Sequence, residues 1–373
     1  MPVGPLTLAG IERAARAQLP PEIWDFIEGG SGAERTLAGN REMFGHYALR
    51  PRTLVDVSAC ATGTALLGAE LGLPVGIAPM AYHRLVHPDG ETATARAAGR
   101  AGALLVAGIF ASRTLEAIAA EATGPLWLQL YWLRRRDALA ALVERAEAAG
   151  FAALMLTVDA PRIGHRLRDL RNGFAVPPEI RAVNLDPALM AASHRAGAGS
   201  SGIAGHALEQ FDPSLTWADL AWLRERTALP LVLKGILTAE DARLAAEHGA
   251  DAVVVSNHGG RQLDGALPAL AALPEVAAAV PPDLPVLLDG GVRTGADIAV
   301  ALALGARAVL VGRPVLWGLA TGGADGVADV LALLRAELEH TLALLGRPTP
   351  ADLDRTVLAP WPVHRPDAGV CGP

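Results

Sequence analysis

The stretch 253-VVVSNHGGRQLDG-265 joins the pattern of a buried strand to side chains that can do chemistry. Three valines run into a Ser-Asn-His triplet that ends at His258, and two glycines then precede Arg261. One interpretation is a strand that ends in a surface turn. The other is a reactive site, in which Gly259 and Gly260 reverse the chain so tightly that Arg261 points back toward the imidazole.

A carboxylate could support this imidazole. Asp159 stands near the end of another apolar run, 152-AALMLTVDA-160. A carboxylate that is hydrogen-bonded to an imidazole fixes its tautomer and favours the charged form that arises after proton abstraction. The pair His258 and Asp159 therefore predicts a general base.

Two arginines could hold an anion beside that base. Arg166 lies in 161-PRIGHRLRDLRNGF-174, directly after the run that contains Asp159, and Arg261 follows His258. Two guanidinium forks around one spot match a carboxylate, and each charge-assisted bond is worth on the order of 1.5–3 kcal/mol. We expect a substrate that carries a carboxylate.

The chain uses lysine once. Of its 32 lysines and arginines only Lys234 is a lysine, and it closes the apolar run 229-LPLVLKGI-236. An ammonium there could neutralise the electron-rich N1/O2 edge of a reduced flavin. A Schiff-base lysine and a plain salt bridge are the competing interpretations.

Two glycine-rich turns indicate a phosphate site. The segments 289-DGGVR-293 and 311-VGRP-314 each place glycine before an arginine, so Gly290, Gly291 and Gly312 stand beside Arg293 and Arg313. Glycine lets backbone N–H groups approach an anion, and arginine supplies forked donors. The loops after the last two strands of a β/α-barrel commonly bind phosphate in this way.

Eight apolar runs could position all of these groups. The runs are continuous rather than alternating, which is typical of parallel strands that are covered on both faces, and helical patterns separate them. In chain order they are 74–80, 103–110, 126–131, 152–160, 229–236, 252–258, 285–291 and 308–314. Eight such units predict an α/β fold of the (β/α)8 TIM-barrel type. A doubly wound open sheet is the alternative, but no G-x-G-x-x-G follows a strand.

The strand ends carry most of the polar side chains. Reactive groups of such barrels sit at the carboxyl ends of the strands. Those ends hold Pro79, Met80, Gly108, Gln129, Tyr131, Thr157, Asp159, Lys234, Ser256, His258, Asp289, Gly290, Gly291, Gly312 and Arg313. This clustering favours one site at one rim.

We predict one domain over residues 1–373. It begins with a helical segment over 1–73, in which Thr7 caps the first helix and Pro21 starts the second. The barrel spans 74–320 and includes a mobile Ala/Gly/Ser-rich loop over 181–213. Residues 321–373 form a helix, around 324–345, and a tail.

Composition excludes several classes. The net charge of −7 and the scarcity of basic runs disfavour nucleic acid as a partner. We see neither a secretory signal nor an apolar run of the ~18 residues that a membrane span needs. Two cysteines imply neither a disulfide framework nor a thiolate metal site. We expect a cytoplasmic enzyme.

The chain resembles the FMN-dependent (S)-2-hydroxy acid oxidising family, which includes glycolate oxidase, lactate oxidase and mandelate dehydrogenase. The resemblance covers nearly the whole chain, and its most specific segment is 256-SNHGGRQLD-264. Supporting segments are 19-LPPEIWDFIEGG-30, 129-QLY-131, 157-TVD-159, 232-VLKG-235, 289-DGGVR-293 and 311-VGRPV-315.

On the substrate side, the resemblance implies that His258 takes a proton from the substrate while Asp159 supports it. Arg166 and Arg261 would hold the carboxylate, and Tyr131 would bond to the hydroxyl or carboxylate region. Phe26, Met80 and Phe110 would line the substrate pocket.

On the cofactor side, the resemblance implies FMN, with Lys234 at its N1/O2 edge. The groups implied beside the ring are the backbone of Pro79, Met80 and Ala81, with Gly108, Gln129, Thr157, Gly259, His258 and Arg261. Ser256 would lie beside the ring or the ribityl chain, and Asp289 would bind ribityl hydroxyls. The phosphate would lie on Gly291, Arg293, Gly312 and Arg313, and Gly290 would also contact the cofactor.

The chain departs from the family pattern at three positions. Phe26 stands where glycolate- and lactate-type members carry a tyrosine that donates to the carboxylate. The missing donor weakens carboxylate binding by about 1 kcal/mol but leaves an apolar wall suited to an aromatic ring. Gly108 replaces a serine often found beside the flavin, and Phe110 takes the site of a bulky residue.

These choices look most like the branch that includes 4-hydroxymandelate oxidase, as do 78-APMAYHRLVHPDGE-91, 129-QLYWLR-134 and 166-RLRDLRNGF-174. We therefore expect an aryl 2-hydroxy acid, such as mandelate or 4-hydroxymandelate, to be oxidised to the 2-oxo acid, with further conversion to the benzoate left open. O2 is the expected electron acceptor. Membrane-bound mandelate dehydrogenases carry an apolar insertion at the place where residues 181–213 of this chain are polar. We also see no cytochrome domain before the barrel. A glycolate or lactate oxidase and a dehydrogenase with another acceptor are the alternatives. Relatives are often homotetramers.

Three rival classes explain less. An FMN-dependent isomerase leaves the two arginines and His258 without a carboxylate. A barrel that has lost catalysis predicts loss of at least one of Lys234, His258 and Arg261, and all are present. A metal site at His83 and His87 is disfavoured, because 87-HPDGE-91 is typical of a helix start.

Overall fold

The computed structural model describes residues 7–185 and 210–361. The described chain begins with three helices: α1 (Leu8–Gln18), α2 (Pro21–Glu28) and α3 (Arg35–Glu42). The Thr7 hydroxyl accepts a hydrogen bond from Gly10 N, and the proline start of α2 is also as predicted. A short 3-10 helix, Met43–His46, ends this helical part.

The prediction that residues 1–73 are helical is wrong beyond His46. Three short strands follow: β1 (Tyr47–Leu49), β2 (Thr64–Leu66) and β3 (Ala69–Leu71). β2 and β3 pair as an antiparallel hairpin, while β1 pairs with β12 (Leu358–Pro360) at the far end of the chain. Such distant pairing leaves no local periodicity in the sequence.

Eight parallel strands form a closed barrel, which confirms the predicted fold. They are β4 (Val75–Ile77), β5 (Leu104–Gly108), β6 (Leu126–Leu130), β7 (Ala153–Thr157), β8 (Leu231–Ile236), β9 (Ala252–Val255), β10 (Val286–Asp289) and β11 (Ala308–Val311). Each strand lies within one of the eight predicted runs, and most end earlier. The polar and glycine residues that close the runs therefore lie mostly in loops at the rim.

Helices surround the barrel. They are α4 (Glu91–Ala101), α5 (Leu115–Glu121), α6 (Arg136–Ala148), α7 (Leu167–Asn172), α8 (Leu220–Arg224), α9 (Ala239–Glu247), α10 (Ala269–Ala279), α11 (Gly295–Ala303) and α12 (Arg313–Leu345). α12 is broken at Gly322 and Gly323, so its second part matches the tail helix predicted around 324–345. It packs against α1, α4 and α11.

The core has two parts because successive strand residues face opposite sides. Leu105 and Ala107 of β5 belong to the outer part, between strands and helices, whereas Leu104 and Val106 belong to the inner part. The inner part also contains Leu66 and Leu71 of the β2–β3 hairpin. The barrel is thus filled with side chains, as is usual for this fold.

The predicted loop 181–213 falls mostly on residues 186–209, which lie outside the described part. No helix within 7–185 or 210–361 has the length and apolar character that a membrane span requires. The helix start predicted over 87–91 is confirmed, since α4 begins at Glu91 with Gly90 as its N-cap.

Candidate active site

A cavity of about 1330 Å³, including its open mouth, lies at the carboxyl ends of the strands. The predicted residues that line it are Phe26, Pro79, Met80, Ala81, Gly108, Phe110, Gln129, Tyr131, Thr157, Arg166, Lys234, His258, Gly259, Arg261, Asp289, Gly290, Gly291, Arg293, Gly312 and Arg313. Asp159 and Ser256 are absent from the described lining residues, and both lie behind it. The fold therefore brings almost all of the predicted groups to one rim.

His258 is held by an unusual backbone turn. His258, Gly259 and Gly260 all have positive φ, at 59°, 63° and 75°. A non-glycine residue in this region is strained, and such strain is retained where the surroundings fix it. The turn reverses the chain directly after β9, so the imidazole faces the cavity rather than solvent.

The imidazole lies between a carboxylate and a phenol. Its Nδ1 is 2.8 Å from Asp159 Oδ1, and its Nε2 is 3.5 Å from the Tyr131 hydroxyl. With Nδ1 as the donor of a hydrogen bond to this carboxylate, the lone pair of Nε2 is directed at the cavity. Buried Asp159 Oδ2 has no hydrogen-bond partner within the described residues.

Burial sets the charge states of this group. Burial lowers the pKa of His258, and Asp159 only partly offsets it. For Asp159 burial acts upward, yet His258 and Lys234 outweigh it and hold the carboxyl pKa below its ordinary value. Burial also raises the pKa of Tyr131 to about 12. Near neutral pH the site thus holds a neutral imidazole, an ionised carboxylate and a protonated phenol.

Two desolvated guanidinium groups face the same space. Arg261 donates from Nη1 to the carbonyls of Phe26 and Gly29, both at 2.8 Å, and its guanidinium lies 5.3 Å from the Phe26 ring centroid. Arg166 is 8% exposed, and its Nε lacks a partner in the described chain. Burial lowers the pKa of both side chains. Two buried cations of this kind are suited to an anionic ligand.

Lys234 and the carboxylate of Asp289 form the floor of the cavity. Its Nζ lies 2.9 Å from Asp289 Oδ2 and donates to Ser256 Oγ at 2.8 Å. Burial acts against the ammonium, but Asp289 and Asp159 outweigh it and raise the lysine pKa. A charged lysine is a poor nucleophile, which disfavours the Schiff-base interpretation.

Ser256 is predicted to border the cofactor, but it is not among the described residues that line the cavity. It is fully buried, and its Oγ accepts hydrogen bonds from Lys234 Nζ and from His258 N. In this position it orients the lysine and the turn that carries the histidine. Asp289 Oδ1, in contrast, is buried without a partner among the described residues and is available to a ligand hydroxyl.

The loops after β10 and β11 form a cationic cradle. Gly290 and Gly291 have φ of 93° and 89°, and a Cβ on Gly291 would lie 2.1 Å from Asn40 O. Burial lowers the pKa of Arg293 to about 10, and burial also lowers that of Arg313. Two desolvated guanidinium groups beside glycine backbone fit a phosphate.

Polar side chains form the cavity wall between Lys234 and the opening, and they are hydrogen-bonded within the protein. Gln129 donates to Thr157 Oγ1 at 3.0 Å and to Leu130 O at 2.8 Å. A Cβ on Gly108 would lie 3.0 Å from Met80 O, so this position leaves no room for a larger side chain unless the loop shifts. The cavity as a whole fits FMN: Lys234 matches the electron-rich edge of the ring, the unpartnered Asp289 Oδ1 matches a ribityl hydroxyl, and the cationic cradle matches the phosphate.

Aromatic rings line the mouth, and sequence reasoning missed some of them. Phe26 stacks on Phe174 with centroids 4.5 Å apart, and Phe211 stacks on Tyr131 at 4.3 Å. Phe110 lies 5.7 Å from Tyr131. Other unpredicted lining residues are Ile27, Ala78, Tyr82, Ile163, Val292, Leu310, Val311 and Leu316.

A signal for Phe211 was present in the composition. The chain has only six phenylalanines, and three of them, Phe26, Phe110 and Phe211, line this cavity. Phe211 stands near the end of the segment predicted as a loop, where an isolated aromatic residue is unusual. Its partner rings could not be assigned without the fold.

The metal interpretation gains no support from His83. Its Nδ1 lies 3.0 Å from Thr94 Oγ1, and the Glu91 carboxylate accepts from its backbone N–H. In the part of the chain that the structure describes, no three His, Cys, Asp or Glu side chains are grouped to hold a metal ion.

Comparisons with known proteins agree with this geometry. Residues 15–360 match the model of the FMN-dependent dehydrogenase family. An L-lactate oxidase from Nostoc sp. is 48% identical over 95% of this chain and 98% of its own. A 4-hydroxymandelate oxidase from Amycolatopsis orientalis is 49% identical over 91% of this chain and 94% of its own.

Solved structures give the same result. The crystal structure of a mandelate oxidase with (S)-4-hydroxymandelic acid has a TM-score of 0.92 and 47% identity, and the match covers 95% of this chain and 98% of that one. Because both the family model and these relatives span nearly the whole barrel, the chain belongs to the FMN-dependent dehydrogenase family.

Proposed function

We propose that this protein is an FMN-dependent oxidase of (S)-2-hydroxy acids, with aryl substrates such as mandelate or 4-hydroxymandelate preferred. One observation carries the proposal: the His258–Asp159 pair, at 2.8 Å, opens onto the cavity that two buried arginines also face. A base beside an anion site is what removal of a proton from a 2-hydroxy acid requires.

The carboxylate of the substrate would lie between Arg166 and Arg261. Both guanidinium groups are desolvated, so the incoming anion gains more from them than it would in water. This fixes the hydroxyl-bearing carbon near His258 Nε2 and the Tyr131 hydroxyl. The protonated Tyr131 donates to the substrate oxygen, and neutral His258 accepts the proton.

FMN, when bound, would supply the oxidant: it would take up the two electrons and one of the two protons that the substrate loses, while His258 takes the other proton. Lys234, Asp289 and the cradle of Gly290, Gly291, Gly312, Arg293 and Arg313 would hold it. The proton taken by the imidazole produces a cation, which the ionised Asp159 stabilises.

The aromatic wall supports the aryl preference. Phe26 and Phe110 border the cavity where a polar donor would otherwise help small hydroxy acids, and stacked rings favour an aromatic partner by about 0.5–1.5 kcal/mol. The 4-hydroxymandelate and mandelate oxidases among the relatives point the same way.

A short-chain substrate is the second candidate, because an L-lactate oxidase is 48% identical to this chain. Steady-state kinetics with glycolate, L-lactate and (S)-mandelate separate the two. We expect the highest kcat/KM with (S)-mandelate, and a preference for glycolate would overturn the aryl proposal.

The acceptor is tested separately. We propose O2, in line with the oxidase names of the relatives. An oxygen electrode should record stoichiometric O2 consumption and peroxide release with (S)-mandelate. Turnover that needs an artificial dye would instead indicate a dehydrogenase.

Three further points stay proposals: a single domain over residues 1–373, a cytoplasmic location and a homotetramer. The family resemblance supports the tetramer. Sedimentation equilibrium at several protein concentrations would test it, with a monomer as the contrary result.

A further inference from the structure

A second cavity lies next to the active site. It has about 1290 Å³, including open space, and it borders β7 and β8. Three residues, Tyr131, Thr157 and Phe211, line both cavities. The two spaces are therefore separated by a thin wall of side chains.

Aromatic rings form this wall. The Phe211 ring stacks on Tyr131 at 4.3 Å with an interplanar angle of 25°, and it lies 5.9 Å from Phe110. Phe211 is only 4% exposed, although cavities lie on two of its sides. Of the residues that line both cavities, Phe211 is the aromatic one to which the proposed reaction gives no role, so it can be substituted without removing a catalytic group.

The backbone holds Phe211 in place. Leu133 and Phe211 form an antiparallel bridge, flanked by hydrogen bonds from Arg134 N to Gln210 O at 2.9 Å and from Asp212 N to Trp132 O at 2.8 Å. An ion pair between Arg136 and Asp212, at 2.6 Å, adds a further tie. Truncation of the ring should therefore leave an opening rather than a collapsed loop.

The second cavity suits an apolar group. Leu215, Leu220, Leu233, Ile236 and Trp217 supply much of its wall. Asp212 and Asp241 also line it; Arg136 engages the carboxylate of Asp212, and a second carboxylate disfavours an anionic group there. A charged ligand would be stabilised little in such a space. An apolar chain would be stabilised there, because its surface is removed from water.

We propose that Phe211 is a specificity-determining residue that limits the depth of the substrate pocket. With the ring present, the side chain of a 2-hydroxy acid stays in the main cavity. Without it, the two cavities join and accept 2-hydroxy acids whose apolar side chain is several carbons longer. This inference rests on the proposed function.

The test compares two substrates that differ in length. (S)-Mandelate carries its ring on the α-carbon, and (S)-2-hydroxy-4-phenylbutanoate carries it two methylenes further out. In Phe211→Ala we expect kcat/KM for the long substrate, divided by kcat/KM for the short one, to rise about tenfold or more. A few methylene groups change kcat/KM by this factor in an apolar pocket. An unchanged ratio would refute the role of Phe211.

A second substitution checks where the longer side chain goes. Leu215 lines only the second of the two cavities, so Phe211→Ala combined with Leu215→Trp refills that space. The double variant should return the ratio toward the wild-type value. A ratio that stays high would show that the chain leaves by another route.

Binding gives a readout that does not need turnover. Trp132 and Trp217 line the second cavity, so their fluorescence should change when 4-phenyl-2-oxobutanoate enters it. We expect this change in Phe211→Ala and not in the wild type, with benzoylformate as the short reference ligand. Equal responses in both proteins would contradict the proposal.

Control variants keep the outcomes distinct. Phe151→Ala removes an equally buried ring away from both cavities and should leave the ratio unchanged. If Phe211→Ala does not fold, Phe211→Leu makes the same test with a smaller opening. Failure of the proposed function would appear instead as wild-type enzyme that does not oxidise (S)-mandelate, and the comparison would then use glycolate and 2-hydroxyoctanoate.

Discussion

In the proposed reaction the imidazole of His258 acts only in its neutral form, and its surroundings set the pH at which that form is present. Burial lowers the His258 pKa below its ordinary value of 6.5, while Asp159 pulls it upward. A base must be unprotonated to accept a proton, so kcat/KM should rise with pH through this pKa and then level off. We expect the midpoint of the acidic limb to lie below pH 6.5 in the wild type.

Asp159→Asn separates the charge of the carboxylate from its shape. Without the negative charge, nothing opposes the effect of burial, so the acidic limb of kcat/KM should move to still lower pH. The value of kcat should fall by about 10²–10⁴ because the imidazolium loses its support. A pH–rate profile measures both effects, and a limb that moves upward would contradict this account.

We expect Phe26 to limit how tightly the carboxylate of a 2-hydroxy acid is bound, because phenylalanine supplies no donor. Its ring lies under the Arg261 guanidinium and against Phe174, without a donor for the substrate. Phe26→Tyr adds a phenol, worth about 1 kcal/mol to a carboxylate or hydroxyl. Because both glycolate and mandelate carry these groups, we expect kcat/KM to rise about fivefold with each of them. Phe26→Leu, which adds no donor, should not raise it.

Two loops of the site depend on one buried carboxylate at the start of a helix. Glu91, the first residue of α4, accepts hydrogen bonds from His83 N and Ser112 N, at 3.0 and 2.8 Å, and from Ser112 Oγ. His83 follows the segment Met80–Tyr82, and Ser112 follows Phe110. This element therefore sets the distance between two walls of the cavity.

Glu91→Gln should reduce stability. The amide can accept fewer of these bonds and brings an unpaired N–H group into a site that is 2% exposed, at a cost of about 2–3 kcal/mol in the free energy of unfolding. Glu116→Gln is the matched control, since Glu116 pairs with Arg145 at an exposed surface, where ion pairs contribute about 0–1 kcal/mol. Chemical denaturation of both variants compares them, and equal losses would show that the network around Glu91 is unimportant.

In the molecule as a whole, the N-terminal helices complete the end of the barrel that contains the cavity. Gly291, after β10, approaches Asn40 of α3 and the ring of Phe44 so closely that no side chain fits between them. The carbonyls of Ile27 and Gly29 likewise accept from Arg313. The segment before the barrel is thus part of the site.

Gly291→Ala tests this contact. A Cβ there meets Asn40 O at 2.1 Å as well as an unfavourable φ, so overpacking of about 1–3 kcal/mol adds to the backbone strain. Gly150→Ala has a similar φ of 84° with open space around it and isolates the strain alone, roughly 1–2 kcal/mol.

We expect Gly291→Ala to lower both the free energy of unfolding and the FMN content of the purified protein. Gly150→Ala should lower only the former. Thermal denaturation and the flavin absorbance per chain give the two values, and normal FMN content in Gly291→Ala would separate the contact from cofactor binding.

The barrel and the polar rim at its strand ends could both be predicted from the amino-acid sequence. Continuous apolar runs that end in polar residues are local patterns, and they can be recognised along the chain. A closed parallel barrel places the carboxyl ends of all its strands at one rim. His258, Asp159, Lys234 and Arg261 could therefore be predicted to lie in one site. The identity of these side chains also predicted their chemistry.

Which of these groups are in contact could not be predicted and is seen in the folded protein. The ion pair of Lys234 with Asp289, the place of Ser256 behind the lysine, the pairing of β1 with β12 and the wall formed by Phe211 all join residues far apart in the chain. Sequence patterns report the burial of single positions, whereas a contact between two side chains depends on how strands, loops and helices pack around both.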